Sequence, residues 1–164
     1  MTLEYAVNGV VAKDYDDVVR DTSRVMSEES ATPDPVILTR ELAEAQGVDA
    51  TMRFFGPGSV YDMSRLGLPA FEGSAAIRSF LEDWYGSYQA ADDELRETRD
   101  LGNGIVFVAV RETARPSGSP ATAQVHAVYG LVLEWTQGKA ARVIAYPDID
   151  DARAAAERLA EDRG

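Results

Sequence analysis

Three polar side chains lie in stretches whose alternation predicts strands, and each is of a type that moves protons or holds charge. Asp62 sits between Tyr61 and Met63. A carboxylate among apolar groups has its ionised form disfavoured, so its pKa rises and it can act as a base near neutrality. The competing reading makes Asp62 an acceptor for the loop at residues 63–67. His126 lies in mid-strand. A period of two groups it with Gln124, Val128, Gly130, Val132 and Glu134. The opposite face, with Val125, Ala127, Tyr129, Leu131, Leu133 and Trp135, is wholly apolar and is the better core face. His126 is then expected to face outward, at a contact between two copies. With the faces reversed, His126 and Asp62 would form an acid–base pair.

Arg111 shares a face with Phe107 and Ala109. An arginine among apolar neighbours needs a partner. Asp148 and Asp62 are candidates, and the alternative role is a clamp for an anionic or carbonyl-bearing ligand. Asp148 itself follows Pro147 and is placed to cap a last helix. The aromatic side chains Phe54, Tyr61, Trp84, Tyr88, Phe107, Tyr129 and Tyr146 are the candidate lining of a ligand pocket. The hydroxyls of Tyr85, Tyr88, Tyr129 and Tyr146 could polarise a carbonyl, and core packing accounts for these residues equally well.

Composition narrows the chemistry. The 164 residues contain no cysteine and one histidine, which excludes a thiolate nucleophile, a Cys-ligated metal and a multi-His site. A net charge of −12 argues against nucleic acid and anionic membranes as partners. No apolar run approaches the ~20 residues of a spanning helix. The start of the chain, with Glu4 and no basic stretch, does not read as a signal peptide. A cytoplasmic protein without metal or organic cofactor is expected. No phosphate-binding glycine loop, H-E-x-x-H or G-x-S-x-G occurs.

The elements that must position these groups follow from periodicity. Residues 1–32 are either a helix added to the domain or a loosely attached extension. Residues 33–164 form the domain. A helix is expected over 33–46 and a short one over 50–55, with Asp49 as its cap, stopped by Gly56-Pro57-Gly58. A strand over 59–63 and an extended edge stretch over 66–72 follow. The next helix starts at Gly73-Ser74, with Ser74 as N-cap. It carries Ile77, Phe80, Leu81, Trp84, Tyr85 and Tyr88 as one apolar stripe. Residues 93–101 predict a solvent-exposed strand. Strands over 105–115, 121–136 and 139–146 then make a meander through turns at 102–104, 116–120 and 137–138. A helix over 149–162 ends the chain. This order predicts an α+β domain whose strongly bent antiparallel sheet packs on three or four helices, leaving a conical hollow for a ligand.

Five segments resemble the SnoaL-like branch of the nuclear transport factor two-like superfamily, which includes ketosteroid isomerase. Gly47-Val48-Asp49-Ala50 is similar to its G-D-x-x-A opening of the second helix. Ser59-Val60-Tyr61-Asp62 resembles its A-x-V-x-D first strand. Phe71-Glu72-Gly73-Ser74-Ala75-Ala76-Ile77 resembles F-x-G-R-E-A-I, Gln137-Gly138-Lys139 its D-G-K hairpin, and Tyr146-Pro147-Asp148 its Y-x-D tail. The similarity spans about residues 35–162. It implies a cone-shaped fold, a homodimer and a small-molecule ligand. For activity it implies an isomerase or cyclase acting on a cyclic apolar substrate, with Asp62 in the position of the isomerase base. The alternative is a non-catalytic binding or dimerising module of the same fold. The resemblance stops short of the rest of the isomerase machinery. No tyrosine stands near Arg40 and no acid in Val128-Tyr129-Gly130-Leu131. Arg111-Glu112-Thr113 has the arginine of the Arg-x-Asp pair of epoxide hydrolases, with Thr at the second position.

Overall fold

The computed structural model describes residues 33–164 apart from residue 121. The expected N-terminal helix or extension, residues 1–32, lies outside the described residues. Helix α1 (Pro35–Glu44) begins at a proline, whose missing N–H costs nothing in a first turn. Asp34 caps it by accepting the Val36 N–H at 2.9 Å. Helix α2 (Val48–Met52) starts earlier than its sequence predicts. Gly47, at φ +86°, turns the chain directly into the helix, so Asp49 lies in its first turn rather than at its cap. Helix α3 (Ser74–Ser87) likewise starts from Gly73 at φ +86°, and Ser74 makes no cap bond. Ile77 and Leu81 of its stripe are buried.

The strands are β1 (Val60–Asp62), β2 (Ala70–Glu72), β3 (Tyr88–Asp100), β4 (Ile105–Pro116), β5 (Val125–Thr136) and β6 (Lys139–Tyr146). They form one six-stranded sheet in the order β2-β1-β6-β5-β4-β3. Strands β3 to β6 are the expected meander, and β2 is the expected edge. The stretch before β2 is not extended throughout, because Ser64–Leu66 closes a 3-10 turn that ends at Gly67 in the left-handed region. One pairing departs from an antiparallel sheet: β1 runs parallel to β6, with Tyr61 beside Val143. The sheet is therefore mixed, and it curls into a half-barrel.

Two apolar layers lie on opposite faces of this sheet. On the concave face, Val106, Val108, Val110 and Leu133 pack with Phe54, Phe55, Ile77 and Leu81 under α1, α2 and α3. On the other face, Ile105, Phe107, Ala109, Val132 and Ile144 pack against Ala152, Ala156 and Ala160 of α4 (Ile149–Arg163). That helix lies close. A Cβ on Gly130 of β5 would fall 2.4 Å from the Ala152 side chain, so only glycine fits there. Asp148 caps α4 by accepting the Asp151 N–H at 3.0 Å, as its position predicts. No helix among the described residues is long and apolar enough to cross a membrane.

Alternation along β4 decides the faces. Even-numbered residues from Val106 to Val110 point into the concave layer and odd-numbered ones toward α4. The same parity carries Glu112 into the concave face and Arg111 out of it. A bulge in β3 between Leu95 and Glu97 changes that strand's parity. Leu95 belongs to the concave layer, whereas Glu97 binds Arg153 of α4 at 2.9 Å.

Candidate functional site

The concave face and α1 to α3 do not close on each other completely. They leave a cavity of about 400 Å³ walled by Leu42, Phe55, Tyr61, Phe80, Trp84 and Tyr129, among others. Aromatic rings form a continuous wall. Phe55 lies 6.0 Å from Tyr61, Tyr61 5.7 Å from Phe80, and Phe80 6.1 Å from Trp84, centroid to centroid. These separations suit tilted ring pairs. The Tyr85 hydroxyl at the rim is already engaged. Thr51 Oγ1 donates to the Gly47 carbonyl at 2.8 Å, so it accepts from Tyr85 at 3.2 Å.

The polar end of the cavity is a pair of carboxyls. Asp93 on β3 and Glu112 on β4 are direct cross-strand partners, and both line the cavity. Glu112 is 8% exposed, while Asp93 keeps contact with solvent. Two carboxyls opposed across neighbouring strands disfavour each other's charge. Burial, together with the Asp93 charge, pushes the Glu112 carboxyl up to about 7. Burial raises Asp93 as well. Ala127, directly across from Glu112 on β5, is small and leaves the carboxyl open to the cavity.

Tyr61 and Tyr129 face the same space, and neither hydroxyl bonds another group among the described residues. Burial, then the fields of Asp93 and Glu112, holds the Tyr61 phenol protonated well above its ordinary range. Burial does the same for Tyr129, with Tyr61 and the acid pair adding to it. The cavity thus combines two neutral hydroxyl donors with two carboxyls raised by burial, of which Glu112 reaches about 7. Such a set can take a proton from carbon or return one, while a phenol donates to a developing oxyanion. Among the described residues no three acidic or imidazole groups converge as a metal-ligand set.

The sequence-derived candidates divide between the two faces. Tyr61, Trp84 and Tyr129 line the cavity. Phe54 is buried in the concave layer against Trp135 instead, 6.2 Å between centroids. Tyr88 stacks beside Trp84 at 4.8 Å and borders a separate shallow groove. Phe107 is wholly buried in the α4 layer, with the Arg153 guanidinium 5.1 Å from its ring. Tyr146 belongs to that layer too and lies under Arg65 at 4.5 Å.

Asp62 points away from the cavity that Tyr61 and Met63 line, because neighbours on a strand face opposite ways. Its carboxylate is occupied. One oxygen accepts Ser64 Oγ at 2.6 Å and Ser64 N at 3.0 Å. The other lies 3.5 Å from Arg65 and 3.7 Å from Arg142. The Ser64 bonds, with the two arginines, hold Asp62 below the usual carboxylate range, opposite to what a base near neutrality needs. His126 is exposed and shares a hydrogen bond with Thr113 at 3.2 Å, facing outward as its strand period predicts. Asp62 and His126 are not brought together. Asp62 aligns with Ile144, Ile144 with Val132, and His126 is six residues further along β5, about 20 Å at ~3.3 Å per residue. Arg111 is exposed, and neither expected partner meets it, since Asp62 binds Arg65 and Arg142 and Asp148 caps α4.

No family model matches the sequence, and no curated protein matches it at a significant level. Solved structures do match the fold. A candidate SnoaL-like polyketide cyclase from Shewanella putrefaciens is 13% identical, with 76% of this chain and 98% of that one covered at a TM-score of 0.60. A protein of ketosteroid isomerase-like fold from Catenulispora acidiphila, in complex with trimethylamine, is 12% identical over 75% and 92%, at 0.59. An epoxide hydrolase-like protein from M. tuberculosis is 14% identical over 76% and 90%, at 0.57. The chain therefore has the α+β cone fold of the SnoaL-like and nuclear transport factor two-like proteins, as its five sequence segments imply.

Proposed function

We propose that this protein binds a small cyclic, mostly apolar molecule in the concave cavity and moves a proton on it, as an isomerase or cyclase would. The observation that carries this reading is the Asp93–Glu112 pair, two directly opposed carboxyls at the end of an aromatic-walled space. A carboxyl poised at about 7 supplies both protonation states under ordinary conditions, which is what acid–base catalysis requires. In this reading the base expected at Asp62 is replaced by the Glu112–Asp93 pair, with Tyr61 or Tyr129 donating to the developing oxyanion. Neither side chain of the pair belongs to the segments that resemble known relatives. The Catenulispora protein, a ketosteroid isomerase-like fold in complex with trimethylamine, supports a small-molecule ligand for this fold. The second reading, a binding module without turnover, keeps the same cavity and assigns the acid pair to recognition alone.

The test does not need the natural substrate. A panel of cyclic ketones and enones is incubated with the protein in D2O, and deuterium uptake next to the carbonyl is followed by mass spectrometry. Wild type is expected to accelerate uptake for at least one compound, and Glu112→Gln to lose that acceleration at least a hundredfold. Equal uptake by the two proteins would refute the role of Glu112.

The homodimer remains a proposal too. Val125 and Val128 at the open end of β5 are 48% and 50% exposed beside His126, which suits a contact with a second copy.

A further inference from the structure

Among the described residues, the charged groups that line the cavity are Asp92, Asp93 and Glu112, with no lysine, arginine or histidine beside them. Arg65 and Arg142 meet Asp62 on the far face, Arg78 meets Asp49 at 2.8 Å, and Arg153 meets Glu97, while Arg111, next to Glu112 along β4, is exposed on the opposite face. Glu112 is more than nine-tenths buried, lines the cavity and meets no cationic side chain among the described residues. Facing it are the hydroxyls of Tyr61 from β1 and Tyr129 from β5. The helices contribute the uncharged polar groups Thr39, Thr51 and Tyr85, and the connection between α1 and α2 adds Gln46.

This is an apolar chamber with negative charge at one end and electron-rich ring faces along its wall. We infer that the ligand is a hydrophobic organic cation, a ring-bearing body with an ammonium group seated at the Asp93–Glu112 pair against the aromatic wall. An ammonium completes the arrangement in two ways. It supplies a positive partner to the buried Glu112 carboxyl and to the exposed Asp93 beside it, and it gains cation–π attraction from the rings of Tyr61, Phe80 and Trp84. A carboxylate or phosphate ligand would meet like charge with no donor cation to offset it. The volume of about 400 Å³ suits one or two rings with an amine. A bound cation favours the ionised form of the buried Glu112 carboxyl, so affinity is expected to rise between pH 6 and pH 8.

The inference rests on the carboxyl pair being the working end of the cavity, as proposed above, but not on turnover. The test uses three probes of one shape class: benzyltrimethylammonium, its neutral carbon counterpart neopentylbenzene, and phenylacetate. Binding is read from Trp84 fluorescence and from NMR shifts of cavity residues at pH 6 and pH 8. Benzyltrimethylammonium is expected to bind at least tenfold more tightly than neopentylbenzene at pH 8, with a smaller preference at pH 6. The double variant Asp93→Asn, Glu112→Gln is expected to lose that preference while still binding neopentylbenzene, which shows that its cavity remains folded. If the double variant does not fold, Glu112→Gln alone is expected to lessen the preference. Neopentylbenzene or phenylacetate binding as tightly as the cation, or no cation binding at millimolar concentration, overturns the inference. Cation preference without deuterium uptake would leave it standing and sink the catalytic reading. Uptake without cation preference would do the reverse.

Discussion

Replacing Glu112 by glutamine should stabilise the protein, and by an amount that depends on pH. Glutamine keeps the shape and can donate to Asp93, so the cross-strand contact survives. What disappears is a buried group that must ionise. Glu112 is raised from 4.5 to about 7 in the folded chain, chiefly by burial. A carboxyl with a raised folded pKa favours the fold below its unfolded value, and that advantage is lost as pH rises through the folded value. At about 1.4 kcal/mol for each pH unit between the two, the wild type carries a penalty of at most about 3 kcal/mol above pH 7. Glu112→Gln should therefore match wild type near pH 4.5 and gain steadily up to pH 7. At pH 8 its Tm should be about 6–12 °C higher, at ~2–4 °C per kcal/mol for a chain of this size. Urea unfolding at half-unit steps from pH 4.5 to 8.5 measures this. A difference between the two proteins that stays flat across that range would refute the reasoning, whatever its size. The expected loss of function on a stabilising change is the usual mark of a group kept for its chemistry.

Other substitutions probe the remaining claims. Asp62→Asn should leave deuterium uptake intact and cost about 1–2 kcal/mol at pH 7, because it weakens charge-assisted bonds at Ser64, Arg65 and Arg142. Its folded pKa is lowered from 3.8, so that cost should shrink as pH falls through 3.8 and below, which acid unfolding curves will show. Gly130→Val should cost about 3 kcal/mol in urea unfolding, since even a Cβ there would press on Ala152 at 2.4 Å. Val125→Asp should shift a dimer toward monomer in sedimentation without altering cation binding; an unchanged dimer would move the contact elsewhere on the chain.

Much of the fold was legible because its elements are long and locally consistent. The stripe of α3, the parity of β5 and the turn at Gln137-Gly138, with φ of +51° and +79°, each follow from a few residues. The cavity wall was partly legible for the same reason: Tyr129 falls in the apolar row of β5 and Trp84 on the α3 stripe. The acid pair was not. Residues 93–101 look like a solvated strand, and their facing depends on register with β4 and on the bulge at Leu95–Glu97. A slip of one residue would turn Asp93 outward. A signal for Glu112 was present, however. It shares parity with Val106, Val108 and Val110, a buried row in which a carboxylate is out of place. The facing of Asp62 was harder to read, because three residues of β1 are too few to set a period and the parallel pairing with β6 is long-range. Alternation with Tyr61, once that side chain is placed inside, is what puts Asp62 outside.

The account stands or falls on the state of one carboxyl. Carbon-detected NMR of selectively labelled glutamate and aspartate, with Glu112→Gln and Asp93→Asn as assignment controls, follows each side-chain carboxyl through a pH titration. The Glu112 signal should move with a midpoint near 7, and Asp93 should titrate above the ordinary aspartate range because of its burial. A Glu112 midpoint near 4.5, with Asp93 in the ordinary aspartate range, would contradict the account.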